Sequence, residues 1–167
     1  VLEYPSVGAT ENITMLATIK RGETIIINAA LEPEVLDFIE VLKKMGANIK
    51  IMPPATLQIT GVEKLKPINH KIIPDRLEAG TLLLATAISG GEIHIQNARA
   101  DHMDLFLEKL KDMGHKIKTE NGIFLKACKQ PKAVSFKTGP FPAFPTDLQA
   151  PMMAAQCLAN GTSIIEE

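Results

Sequence analysis

The sequence has no tryptophan, one tyrosine (Tyr4) and six phenylalanines, so aromatic residues make up only 4% of its 167 positions. Stacking platforms for single-stranded nucleic acid need several exposed rings, and that composition argues against them. Neither sign of charge dominates: 18 Lys+Arg stand against 19 Asp+Glu, a formal net charge of −1 with His neutral. A binder of nucleic acid or anionic membrane would carry a basic excess, and there is none. Cysteine is scarce as well. Cys128 and Cys157 cannot build a disulfide framework, and no CxxC or Cys/His spacing suited to zinc is present. Buried free thiols in a reducing cytosol are expected. The four histidines, at 70, 94, 102 and 115, show no metal-binding spacing such as HExxH and are expected on surfaces or strand faces.

A long apolar run is also missing. The longest uncharged stretch, Leu148 to Ile165, spans 18 residues, but Gln149, Pro151, Gln156, Asn160 and Gly161 interrupt it. It reads as a core helix running into a strand rather than a membrane span. No basic segment precedes an apolar one in the manner of a secretory signal. Hydrophobic residues at 46% and charged residues at 22% are ordinary globular usage, which excludes disorder, collagen and coiled coil. The length suits one domain or parts of two. A first residue of Val suggests a piece of something longer.

What the sequence does have is repetition. Arg21-Gly22-Glu23-Thr24-Ile25-Ile26-Ile27-Asn28-Ala29 parallels Gly90-Gly91-Glu92-Ile93-His94-Ile95-Gln96-Asn97-Ala98, with Gly22 and Gly91 69 residues apart. Met45-Gly46 parallels Met113-Gly114 at 68, and a third copy opens at Asn160-Gly161-Thr162-Ser163-Ile164-Ile165, 70 beyond Gly91. Each unit begins with a helix of small apolar residues: Thr10–Lys20, Ala79–Ser89 and Leu148–Leu158. A glycine turn then leads to a β-branched strand, Thr24–Asn28 or Glu92–Asn97. Val35, Phe38, Ile39, Leu42 and Met45 keep the i, i+3/i+4 spacing of an amphipathic helix, as do Met103, Phe106, Leu107, Leu110 and Met113. Pro33 suits the first turn of one such helix, Asp101 can cap the other, and Gly46 and Gly114 stop them. Strands Asn48–Met52 with Thr56–Thr60, and Lys116–Thr119 with Ile123–Lys126, close the units. Asn121-Gly122 provides a tight hairpin turn and Pro53-Pro54 a looser one. The repeat is therefore strand, helix, strand, helix, strand, strand, and the last copy breaks off inside a strand. Lys64–Pro74 is the candidate crossing between two lobes, although one continuous lobe fits the composition equally.

A proline precedes a capping residue at each small-residue helix: Pro5-Ser6, Pro74-Asp75 and Pro145-Thr146. The residue after the cap differs, being Val7, Arg76 or Asp147. Small side chains from Pro5 to Thr10 over an open helix start suit a phosphate held by backbone N–H groups, without a Walker glycine loop. Arg76 reads equally as an ion-pair partner of Asp75 or as an anion ligand. With Thr146 expected to serve the cap, the Asp147 carboxylate is left beside the apolar run 139–145, needing a partner or a proton to take. Simple capping accounts for Ser6, Asp75 and Thr146. Lys43-Lys44 and Lys64/Lys66 read as solvated faces.

Taken together, Ser6-Val7-Gly8-Ala9-Thr10, Pro74-Asp75-Arg76-Leu77-Glu78-Ala79-Gly80-Thr81, Asn28-Ala29-Ala30-Leu31-Glu32-Pro33-Glu34 and Pro142-Ala143-Phe144-Pro145-Thr146-Asp147-Leu148-Gln149-Ala150 resemble the enolpyruvyl transferase family, in its UDP-N-acetylglucosamine 1-carboxyvinyltransferase branch. The resemblance runs along the whole chain. It implies an α/β fold, the inside-out α/β barrel built from repeated βαβαββ units, of which this chain is a fragment of a two-lobed protein. Residues 1–70 would then be the last repeat of one lobe, and 71–167 one repeat and the start of the next in the other. It also implies enolpyruvyl transfer from phosphoenolpyruvate to the 3′-hydroxyl of UDP-N-acetylglucosamine with release of phosphate, in a bacterial cytoplasm, by a full-length monomer. No metal or organic cofactor, nucleic acid or membrane is implied. By this likeness Tyr4, Pro5, Ser6, Val7 and Gly8 hold the diphosphate, Arg76 is a basic residue facing the cleft, and Asp147 takes the proton of the sugar hydroxyl. Tyr4 stands where the family often has Lys. The family's reactive cysteine and phosphoenolpyruvate-contacting Lys belong before Val1, so Cys128 and Cys157 inherit neither role. The shikimate-pathway sister enzymes would carry a Ser-Ser-Gln-type turn in place of Ser6-Val7-Gly8.

Overall fold

The repeat in the sequence reappears as a repeated arrangement of helices around a small sheet. The computed structural model describes residues 1–167, which divide into two compact units, Val1–Ile73 and Pro74–Glu167. In the first unit, helix α1 (Val7–Ile19) is followed by β1 (Glu23–Ile27), α2 (Pro33–Met45), β2 (Asn48–Met52) and β3 (Thr56–Thr60). The sheet order is β1-β3-β2 with both pairings antiparallel, so Ile26, Leu57 and Ile51 share one row and Thr24, Ile59 and Ile49 the next row on the same face. Ile26, Leu57, Ile59 and Ile49 are buried against Val35, Ile39 and Leu42 of α2. Period two in the strands and 3.6 in the helix thus meet in one core.

Helix α1 starts three residues before the expected Thr10. Ser6 is its N-cap, with its Oγ accepting from Ala9 N–H at 3.2 Å, and the helix begins directly after it. The second unit repeats this: α3 (Arg76–Ser89) starts at Arg76 rather than Ala79, because Asp75 Oδ1 accepts from Leu77 N–H at 2.7 Å and Glu78 N–H at 3.1 Å. Helix α2 begins at Pro33 and ends at Gly46, whose φ of 106° allows Ala47 N–H to reach Leu42 O at 2.9 Å.

Residues 61–75 carry no regular element. They are tied to α2 at His70, whose Nδ1 lies 3.2 Å from Lys44 Nζ and whose Nε2 lies 2.9 Å from Asp37 Oδ1. An ammonium can only donate, so Nδ1 accepts and the ring proton sits on Nε2, donated to Asp37.

In the second unit α3 leads to β4 (Glu92–Ile95), α4 (Asp104–Asp112), β5 (Lys116–Lys118) and β6 (Ile123–Lys126), with sheet order β4-β6-β5. Asn121 and Gly122, with φ of 55° and 115°, make the tight turn before β6. A further pair, β7 (Phe136–Lys137) and β8 (Ile165–Glu166), runs parallel, with α5 (Gln149–Gln156) between them in sequence. Phe144 is buried between Phe136, at 4.2 Å between ring centres, and Phe106, at 5.8 Å.

Several expectations are corrected here. Thr146 does not cap a helix. A 3-10 turn, Thr146–Leu148, replaces the cap and runs into α5, while the Thr146 hydroxyl donates to Glu167 Oε1 at 2.6 Å. Asp101 does not cap α4 either: it lies in a 3-10 turn, Ala100–His102, and its carboxylate takes both Nε and Nη2 of Arg99. That guanidinium, chiefly by hydrogen bonding, holds the Asp101 carboxyl below its usual range. Cys157 is exposed and Cys128 half-buried, so neither is the buried thiol expected.

His102 and His115 are buried, not on a surface or strand face. Cys128 N–H donates to His115 Nδ1 at 3.2 Å, which requires the neutral ring, and burial pushes the His115 pKa down. The unfolded chain therefore binds a proton that the folded one resists. Stability is complete above an unfolded-state pKa of about 6.5 and declines as pH falls below it. Denaturant unfolding of the full-length protein is expected to show a steeper loss between pH 7 and pH 5 than the same measurement on His115→Gln.

Candidate functional site

The turn from Tyr4 to Gly8 is held at both ends by one segment. Leu2 N–H donates to Ile27 O at 3.0 Å and Asn28 Nδ2 donates to Leu2 O at 3.0 Å, while Thr10 Oγ1 accepts from Ala30 N–H at 2.9 Å. The residues after β1 thus pin the chain before and just after the start of α1. Val7 and Leu2 pack on the unit's core; Tyr4, Ser6 and Gly8 are exposed and Pro5 is half-buried. The first N–H groups of α1, at Val7 and Gly8, have no carbonyl one turn back within the helix to receive them. A Cβ added to Gly8 would meet nothing within 4 Å, so the backbone there is open. An anion can approach those N–H groups along the positive end of the helix.

Arg76 and Asp147 lie in the other unit, on neighbouring elements. Arg76 is the first residue of α3, buried, with its guanidinium carbon 5.8 Å from the centre of the Phe141 ring. One helical turn later, Gly80 faces Leu148: a Cβ on Gly80 would lie 2.5 Å from Leu148 Cδ1. Helix α3 therefore packs directly under the turn Thr146–Leu148 that carries Asp147. On the other side Phe144 is sunk into the aromatic cluster, and Gly139 N–H closes back on Phe144 O at 2.9 Å. The turn is fixed from both directions. Asp147 itself is exposed and makes no hydrogen bond or ion pair. A carboxylate with open lone pairs on a rigid turn can accept a proton or a hydroxyl from a bound molecule.

The structure brings Arg76 and Asp147 onto packed elements, while Tyr4, Pro5, Ser6, Val7 and Gly8 form a separate locus in the first unit. Phe141 and Gly80 carry no role of their own in the sequence, and Thr10 stands there only as part of the small-residue run from Pro5. Gly80 alone carried a usable signal, as a glycine inside an otherwise regular helix.

A family model for EPSP synthase (3-phosphoshikimate 1-carboxyvinyltransferase) matches residues 1–167. The chain belongs to this family. It is 50% identical over 99% of its length to UDP-N-acetylglucosamine 1-carboxyvinyltransferase 1 of Caldanaerobacter subterraneus subsp. tengcongensis. It is 45% identical over 99% to UDP-N-acetylglucosamine 1-carboxyvinyltransferase of Geobacter metallireducens. The chain spans 40% of the length of each. Among solved structures, the enolpyruvyl transferase NikO from Streptomyces tendae superposes with a TM-score of 0.81 over 95% of this chain and 40% of that one, at 22% identity. The family's α/β fold is thereby established for this chain, which by itself forms two three-stranded sheets, one two-stranded sheet and no closed barrel. No helix is long and apolar enough to cross a membrane.

Proposed function

We propose that the full-length protein transfers the enolpyruvyl group of phosphoenolpyruvate to the 3′-hydroxyl of UDP-N-acetylglucosamine, releasing phosphate, as the committing step of bacterial peptidoglycan synthesis in the cytoplasm. The observation that carries this reading is the 45–50% identity, along the whole chain, to proteins bearing that activity in their names. In it the Tyr4–Gly8 turn receives the diphosphate on the N–H groups of α1, with Tyr4 and Pro5 bordering it. Asp147 takes the proton of the sugar hydroxyl, and Arg76, whose guanidinium lies over the Phe141 ring, supplies positive charge from the start of the helix packed against that turn. Residues 1–70 and 71–167 belong to different lobes of a monomer, and no cofactor takes part.

Gly8→Val tests the diphosphate role. A Cβ there meets no neighbour within 4 Å, so folding should persist while approach to the backbone is blocked. Affinity for UDP-N-acetylglucosamine, measured by calorimetry on the full-length enzyme, is expected to fall. Unchanged affinity refutes the assignment. The family model's description favours a second reading, transfer to shikimate 3-phosphate. Turnover with that acceptor and none with UDP-N-acetylglucosamine would establish it instead.

Residues 1–167 alone are expected to give no turnover. Transfer needs two substrates held in one productive geometry, and the chain spans 40% of its relatives' length. Phosphate release from phosphoenolpyruvate that depends on the nucleotide sugar, measured on this piece, would contradict that. Nucleotide-sugar binding without release is the outcome for a non-catalytic binding fragment.

A further inference from the structure

Hydrogen bonds from one short segment, Asn28–Ala30, stand on both sides of the Tyr4–Gly8 turn. Before the turn, the Leu2 carbonyl accepts from Asn28 Nδ2 at 3.0 Å, while Leu2 N–H donates to Ile27 O at 3.0 Å. A carbonyl can only accept, so the amide nitrogen of Asn28 is the atom that faces it. After the turn, Thr10 Oγ1 accepts from Ala30 N–H at 2.9 Å. Ala29 N–H donates to Ala55 O at 2.9 Å, and Ala29 and Ala30 are both buried, so the segment is anchored in the core of its unit.

The second unit shows what part of this is ordinary. Asn28 has a φ of 62°, and Asn97, the corresponding residue there, has 61°. Asparagine tolerates that left-handed backbone better than most residues, which accounts for its type at both positions. Asn97 is exposed, however, and its side chain makes no hydrogen bond. The turn after the strand therefore does not need the amide, and the grip on Leu2 is an addition made in the first unit. It coincides with a second difference. Asp75 Oδ1 takes both Leu77 N–H and Glu78 N–H, which closes the start of α3 with a carboxylate, whereas the neutral Ser6 takes only Ala9 N–H at the start of α1. The steadied chain leads to the helix start that is left open.

We propose that Asn28 is a positioning residue for the nucleotide diphosphate: by holding Leu2 O it fixes the course of the backbone through Tyr4–Gly8, so that the N–H groups of Val7 and Gly8 are set before the ligand arrives. The inference rests on the diphosphate reading of that turn. Asn28 supplies no contact to the ligand; it removes the ordering cost that a loose turn would add to binding.

The test is calorimetric binding of UDP, with no second substrate, to full-length wild type, Asn28→Gly, Asn97→Gly and Gly8→Val, with hydrogen exchange over residues 2–9 of the unliganded proteins. Glycine takes the left-handed φ without strain, so Asn28→Gly deletes the amide bond and keeps the backbone. UDP affinity is expected to fall about 3- to 10-fold, and exchange over residues 2–9 to quicken. Asn97→Gly makes the same change at the matching turn and should leave both at wild-type values. Unchanged affinity or unchanged exchange in Asn28→Gly overturns the proposal, and so does an equal loss of affinity in Asn97→Gly, which would mark a general effect of the substitution. Should Asn28→Gly fail to fold, Asn28→Asp keeps the size and the left-handed tolerance but sets an acceptor against Leu2 O: weakened UDP binding sustains the proposal and unchanged binding overturns it. Gly8→Val separates the two levels. Unchanged UDP affinity in that variant removes the diphosphate reading itself, whereas weakened affinity there with unchanged affinity in the Asn28 variants removes only this inference.

Discussion

Asp147→Asn in the full-length enzyme is expected to lower turnover by about 10²–10⁴-fold while leaving nucleotide-sugar binding close to wild type. In the proposed transfer an alcohol, a weak nucleophile near neutral pH, attacks the enol phosphate carbon of phosphoenolpyruvate, and a base within hydrogen-bond reach takes its proton. Asp147 is exposed and engages no partner, so its oxygens remain available to a ligand. Its freedom does not come from Thr146 acting as a cap, since that hydroxyl donates to Glu167. It comes from the turn itself, whose backbone is set by Leu148 N–H on Pro145 O at 3.1 Å and by burial of Phe144 and Leu148 on either side. Asparagine preserves shape and an acceptor oxygen but cannot take the proton. Steady-state kinetics with calorimetry on the same variant separate the two effects. Near-normal turnover would remove Asp147 as the base and pass that role to a residue outside this chain.

The parts of the fold legible in the sequence were those set by local pattern. β2, β3 and β6 have the bounds that alternation and turn residues predicted, and the apolar stripes of α2 and α4 are the buried ones. Ser6 and Asp75 cap as their side chains allow. Thr146 follows the same Pro-then-cap pattern and does otherwise, because an acidic side chain from β8's end competes for its hydroxyl across 21 residues. No local rule reads that. Asp101 fails similarly: Arg99, two residues away, captures its carboxylate before the helix can. Strands β7 and β8 are too short to carry a period and exist because each supplies the other's partner.

Site residues divide along the same line. The small-residue turn at Ser6–Gly8 and the acid at Asp147 could be singled out from residue type and neighbours. What steadies them could not. The hold of Ala30 on Thr10 and the ring of Phe141 beside Arg76 both join residues distant in sequence. His102 and His115 show the limit from the other side: a histidine's burial is decided by what packs over it, and spacing alone put both on the outside.

Gly80→Val should damage both stability and catalysis through a single contact. The backbone of α3 at this position meets Leu148, and even the first atom of a side chain would lie 2.5 Å from Leu148 Cδ1 and 3.0 Å from Cδ2. Leu148 is 1% exposed and wedged into the core with Phe144 and Met152, so it has little space into which to retreat. Overpacking of this kind costs about 1–3 kcal/mol, which denaturant unfolding of the full-length protein would register as a lower midpoint. The larger effect is on the neighbouring residue. With the Leu148 side chain confined in the core, relief of the clash is expected to push the Thr146–Leu148 turn away from α3, and Asp147 with it. A displacement of about 1 Å at a reacting group can cost 10²-fold in rate, so turnover should fall by about that factor below the temperature at which the variant unfolds. Gly80→Ala places only a methyl in the gap, and Leu148→Ala in the same chain empties the space that the methyl needs. If Leu148→Ala restores turnover to Gly80→Ala, beyond what the two single variants predict, the contact is what aims Asp147. If the double variant is no better than the worse single one, Gly80 serves packing alone and the turn takes its position from the Phe144 side.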